Sequence, residues 1–132
     1  MYYTMEQAMR VFKYRNFSKW AKSEKVTDSA LLKALKEIES GLVDADLGAG
    51  LFKKRLARQG MGKRGGYRVL LALKIKERAF FLHGFGKNER ENIEEAEKKS
   101  YFDLAECFLG MTDQELSFLV KTEKLIEVKN AD

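Results

Sequence analysis

Lys53 and Arg55 alternate with Phe52 and Leu56 in the string LFKKRLAR. In a strand that spacing puts the two cations on one side and the apolar pair on the other. Arg58 closes the string, and Arg68 lies at the mouth of the next one, YRVLLALK, level with Arg55 or Arg58. Lys54 shares the parity of Phe52 and Leu56 and is expected near the strand end, with its charge reaching water. Between Leu51 and Arg90, twelve lysines and arginines meet only two acids, Glu77 and Glu89. Single exposed strand cations often serve only to keep an edge soluble. A whole set with almost no acid interleaved costs repulsion, and that cost is tolerated most readily where an anion binds. A rigid sheet face studded with cations suits a phosphate backbone.

The other residues with chemical potential are fewer. The stretch Gln59–Gly66 reads as a glycine loop, with Lys63 and Arg64 as a basic lip beside the strands. It lacks the GK[ST] of a nucleotide-binding P-loop, and no helix follows it. His83 alternates with Phe81 and Phe85 and reads as a packed or hydrogen-bonded imidazole, with acid–base work as the second reading. Cys107 falls on the apolar side of a helical pattern and is expected in the core. One cysteine and one histidine exclude an internal disulfide and a Cys/His zinc site within one chain. Glu91, Glu94, Glu95 and Glu97 suit a solvated helix start, and a paired-carboxylate or metal site is not expected.

The elements that must position these groups follow from periodicity. A short strand is expected over Arg10–Tyr14. Asn16 caps a helix with Phe17, Trp20 and Ala21 on one face. Thr27 or Asp28 caps a second helix carrying Leu31, Leu35, Ile38 and Leu42, which Gly41 is placed to end. Strands are expected over Leu51–Arg58, Tyr67–Lys74 and Ala79–Phe85, with a turn at Ile75–Arg78. Helical spacing then links Ile93, Ala96, Tyr101, Leu104, Ala105 and Phe108. Thr112 and Glu115 form a capping-box pattern for a last helix bearing Leu116, Leu119 and Val120. Leu125, Ile126 and Val128 close the ordered part. Consecutive strands on short loops predict an α+β fold with an antiparallel sheet.

The chain reads as one domain over 1–132, with 1–8 as a flexible leader. Its 132 residues suffice to bury a core, no apolar run approaches a bilayer span, and no signal peptide is evident. A reducing, cytoplasmic setting is expected. Charge is unevenly spread: net +1 over the first fifty residues, +10 over Leu51–Arg90 and −6 over the last forty-two. The acidic helices either close the core as an amphipathic pair or partly cover the basic groove.

The string GLVDADLGAGLFKKRLARQGMGKRGGYRVLLAL, followed by RAFFLHGFGKNERENI, resembles the RelE/HigB-type toxins of bacterial toxin–antitoxin systems. It is most similar to the RelE-like branch with a GKxGGYR loop. Residues 9–93 match the toxin core, and 94–128 match that branch's C-terminal helical extension. The resemblance implies a small RelE-like fold, with the sheet packed by two N-terminal helices. It also implies a metal-independent endoribonuclease, without cofactor, that cuts mRNA in the ribosome and is silenced by a cognate antitoxin. In the mechanism that the resemblance implies, the ribose 2′-OH attacks the adjacent phosphate while cations stabilise the pentavalent intermediate.

By this likeness Lys53 and Arg55 match the paired basic positions, Arg68 the arginine of the YR motif, and Lys87 and Arg90 the terminal GKxxR segment. Lys54, Arg58, Lys63 and Arg64 are expected to bind RNA. Lys53 is expected to act as general base. Arg55 and Arg68 keep their charge and can grip phosphate oxygens bidentately. Asn88 stands where some relatives have arginine, and Glu94 where a tyrosine would be. The general acid therefore falls to Lys87, Arg90, His83, water or the ribosome. Two other readings remain open: a translation inhibitor that binds RNA or the ribosome without cutting, and a ParE-like toxin with a protein target such as gyrase.

Overall fold

The computed structural model describes residues 9–58, 62–86 and 95–129. The order along the chain is β1 (Arg10–Tyr14), α1 (Arg15–Ser23), α2 (Asp28–Glu39), β2 (Ala45–Gly48) and β3 (Leu51–Arg58). It continues with β4 (Gly62–Lys74), β5 (Arg78–Gly86), α3 (Glu95–Leu109), α4 (Asp113–Lys121) and β6 (Leu125–Val128). The six strands form one sheet in the order β2-β3-β4-β5-β1-β6. The class is α+β, as expected. The sheet is not wholly antiparallel, however: β1 lies parallel to β5, with Arg10 opposite Arg78. β6 then adds antiparallel to β1, pairing Val11 with Val128. Joining the two ends of the chain in this way needs partners more than 100 residues apart, which no local pattern announces.

Both sheet faces are covered. On one, Val69, Leu71 and Phe81 pack with Phe17 and Ala21 of α1 and with Leu31 and Ile38 of α2. On the other, Leu51, Leu70, Phe80 and Leu82 pack with Ala105 and Phe108 of α3 and Leu116 of α4. Burial on two faces explains why β4 and β5 read as near-continuous apolar runs rather than alternating ones.

Local signals account for most helix ends. The Thr27 hydroxyl accepts from the Ala30 N–H at 3.2 Å, so Thr27, not Asp28, is the cap. The Thr112–Glu115 capping box is complete: Glu115 N donates to Thr112 Oγ1 at 3.1 Å and Thr112 N to Glu115 Oε1 at 2.8 Å. Asn16, expected as a cap, lies inside α1, because Tyr14 takes the cap position without a side-chain bond. α2 stops at Glu39, and Gly41 follows at φ +94°, a conformation that favours glycine. Leu42, expected on the apolar stripe, therefore lies beyond the helix and is exposed.

Three further expectations change. β4 begins at Gly62, so much of the supposed loop Gln59–Gly66 is strand, with Gly62 opposite Arg58. β2 and β6, each only four residues long, gave too little pattern to be recognised. Cys107 is exposed, because α3 turns Ala105 and Phe108 to the core.

One close approach fixes α1 on the sheet. A Cβ at Gly84 would fall 2.3 Å from the Trp20 ring, so only glycine lets the indole lie against β5. Trp20 in turn meets Tyr67 edge-on at 5.1 Å, and the Tyr67 hydroxyl donates to Glu24 Oε1 at 3.0 Å. Among the described residues no helix is long and apolar enough to cross a membrane.

Candidate nucleic-acid interface

Pairing register brings the cations of β3 and β4 together. Arg55 lies directly opposite Arg68, and Lys53 opposite Leu70. Leu70 belongs to the core beneath α3 and α4. Strand alternation therefore puts Lys53, Arg55 and Arg68 on that same face. The next strand adds Phe85 opposite Arg68 and His83 opposite Leu70. Two rows result, Arg55–Arg68–Phe85 and Lys53–Leu70–His83. Opposed Cα atoms in such ladders sit about 5 Å apart, so Lys53 and His83 are separated by roughly 10 Å at Cα.

This face is partly covered. α3 and α4 cover the end that carries Leu51, Phe80 and Leu82. Lys53 and Arg55 stay partly exposed beside that cover. α3 also delivers Tyr101, whose ring stacks on His83 with centroids 5.0 Å apart. His83 is thus packed, as expected, but not on the face of Phe81. A bulge between Leu70 and Leu71 shifts the β4–β5 register, and it reverses the parity that simple alternation assigns. Phe81 enters the α1/α2 core while His83 faces α3.

Lys54 departs furthest from expectation. It is 3% exposed and points into the α1/α2 side, where its Nζ lies 2.8 Å from Glu37 Oε1 of α2. The parity with Phe52 and Leu56 decided its direction, and α2 supplied the counter-charge. A buried, paired ammonium cannot also meet RNA, so Lys54 is a structural residue. Arg58, Lys63 and Arg64 have strand backbones, but their side chains lie outside the described residues. Lys87 and Arg90, with Asn88 and Glu94, also lie outside them.

The electrostatics of the paired arginines are unequal. Arg55 Nε donates to Asp44 Oδ1 at 2.8 Å, and the Arg55 backbone N–H donates to Asp44 Oδ2. Burial alone would raise the Asp44 carboxyl's pKa. The two hydrogen bonds and the charge of Arg55, with that of Lys54, outweigh burial and hold it below the ordinary value. Arg68 differs: among the described residues its buried Nη1 lacks a hydrogen-bond partner. An unpaired buried guanidinium nitrogen is costly, and an anion's oxygen would satisfy it. The face therefore carries Arg55 and Arg68 in one cross-strand row, with Lys53 and His83 in the next.

Sequence reasoning did not single out Asp44 or Tyr101. Asp44 and Asp46 are the two acids just ahead of a basic strand, a signal that was present but unread. Tyr101 fitted a helical apolar stripe and gave no separate sign.

Residues 9–128 match the family model of the RelE toxin of the RelE/RelB toxin–antitoxin system. No curated protein matches the chain.

Proposed function

Because this chain belongs to the RelE family, toxins of toxin–antitoxin systems, we propose that it is an endoribonuclease that cuts mRNA on the ribosome in the cytoplasm. The observation that carries this reading is the Arg55–Arg68 pair beside Lys53, with Arg68 Nη1 buried and unpaired among the described residues. Phosphoryl chemistry on RNA needs cationic groups aimed at non-bridging oxygens, where charge builds up in the transition state.

In this reading Lys53 takes the proton of a ribose 2′-OH. The freed oxygen attacks the adjacent phosphorus, and the bond from phosphorus to the 5′-oxygen breaks. The products are a 2′,3′-cyclic phosphate and a 5′-OH end. Arg55 and Arg68 hold the two non-bridging oxygens through the pentavalent stage. His83, across the sheet from Lys53, gives its proton to the leaving 5′-oxygen. A separation of roughly 10 Å between the two backbones leaves room for a phosphodiester between the side chains. Lys87 and Arg90 add further phosphate contacts. A cognate antitoxin holds the activity in check, as the family's toxin–antitoxin pairing requires.

The test is primer extension on a reporter mRNA translated in a purified system. Wild type should give discrete cuts that vanish with Lys53→Ala and with Arg68→Ala, and weaken with His83→Gln. Arrested translation over intact mRNA would instead mean a toxin that binds without cutting. No effect on translation would direct attention to a protein target.

A further inference from the structure

Resting on that reading, a further role can be assigned beside the arginine pair. β2 begins at Ala45, opposite Lys53, so β3 has no strand neighbour on that side at Arg55. Asp44, the residue just before β2, takes that place with its side chain. One carboxylate oxygen accepts the Arg55 N–H and the other accepts Nε at 2.8 Å. These two bonds tie the guanidinium to the backbone of its own residue through a single rigid group. Nε is used, and the two terminal nitrogens have no partner among the described residues. The Arg55 side chain keeps 43% exposure.

Arg55 also faces a problem that Asp44 relieves. Directly opposed like charges on a sheet repel, and Arg55 is opposed to Arg68.

We propose that Asp44 is a positioning residue, which fixes the Arg55 guanidinium at the β3 edge so that its terminal nitrogens present to an RNA phosphate. Asp44 itself touches no substrate. Its value is orientation, and a guanidinium mispositioned by about 1 Å can lose much of its effect on a developing charge.

The experiment is a double-mutant cycle on the full chain: wild type, Asp44→Asn, Arg55→Ala and the double variant. Asparagine keeps an acceptor for the Arg55 N–H, so the strand edge survives, and a thermal melt on each protein checks this. Each is assayed for cleavage in the translation system and for affinity to a labelled single-stranded RNA oligonucleotide. The proposal expects Asp44→Asn to slow cleavage by about 10- to 100-fold and to weaken RNA binding by about fivefold. It expects no further loss when Asp44→Asn is added to Arg55→Ala. Equal losses in both backgrounds would overturn it, because Asp44 would then act on something other than Arg55. Faster cutting or tighter binding by Asp44→Asn would also overturn it, since the carboxylate would then be restraining Arg55.

If wild type binds RNA but cuts none, the nuclease reading fails by itself. The affinity cycle then decides the role of Asp44 by the same criterion. If wild type neither cuts nor binds RNA, both readings fall.

Discussion

Lys53 and Lys54 are neighbours in sequence and should fail in different ways. Lys54 is buried and held by Glu37 at 2.8 Å, with the Glu37 side chain 19% exposed. At an effective dielectric constant of roughly 20 the bare attraction is about 6 kcal/mol. Desolvation of both groups offsets most of it. The measurable quantity is the cost of stranding one partner. Glu37→Leu leaves an unpaired ammonium between α2 and the sheet, and should cost about 3 kcal/mol. That is the low end of the range for a buried pair, because Glu37 keeps some contact with water. With an m-value near 2 kcal/mol per molar, the urea midpoint should fall by about 1.5 M.

Adding Lys54→Met replaces the pair with apolar groups and should restore most of the loss. RNA affinity should be unchanged in the restored double variant. Lys53→Ala should do the reverse, with stability within about 0.5 kcal/mol of wild type and weakened RNA binding. A midpoint unmoved by Glu37→Leu would refute the burial argument. So would a restored double variant that binds RNA as poorly as Lys53→Ala.

Three further outcomes are expected. Gly84→Ala drives a methyl into the Trp20 ring and should cost about 1–3 kcal/mol, read as a lower melting temperature with reduced tryptophan near-ultraviolet dichroism. Thr112→Ala breaks the capping box at the start of α4 and should cost about 1 kcal/mol by urea titration. Acid should unlock the seam between β1 and β6, where Arg10 donates to both Glu127 oxygens at 2.9 and 3.0 Å. Those hydrogen bonds outweigh burial and hold the Glu127 carboxyl below its ordinary value of 4.5. Its contribution is therefore fully present above about pH 4.5 and is lost as pH falls through the lower folded-state value. In urea midpoints measured from pH 7 to pH 3, Glu127→Gln should flatten part of the acid decline, and an unchanged profile would count against this seam.

Much of the frame was legible before any coordinates. The bounds Leu51–Arg58, the Thr27 cap and the Thr112–Glu115 box depend on residues within a few positions of each other. Such signals act locally and survive whatever the rest of the chain does. Lys53 and Arg55 could be placed on one face for the same reason, since strand parity is a property of the backbone.

What parity does not reveal is what covers each face. Lys54 was read as solvated because nothing in LFKKRLAR says that α2 will lay Glu37 over it. His83 was placed with Phe81 because a bulge is invisible in a run of apolar residues, yet one extra residue in β5 turned the ring toward Tyr101. The parallel β1–β5 pair and the β6 edge join segments whose closeness depends on the whole fold. The sequence by itself determined that a cationic strand pair would exist and that Lys53 and Arg55 would share one face. Only the tertiary structure decided that Arg55 would be tied to Asp44 while Arg68 kept a buried nitrogen without a partner among the described residues. The physical reason is that hydrogen-bond partners at a sheet edge are set by where a neighbouring strand stops, and that depends on the packing of the whole chain.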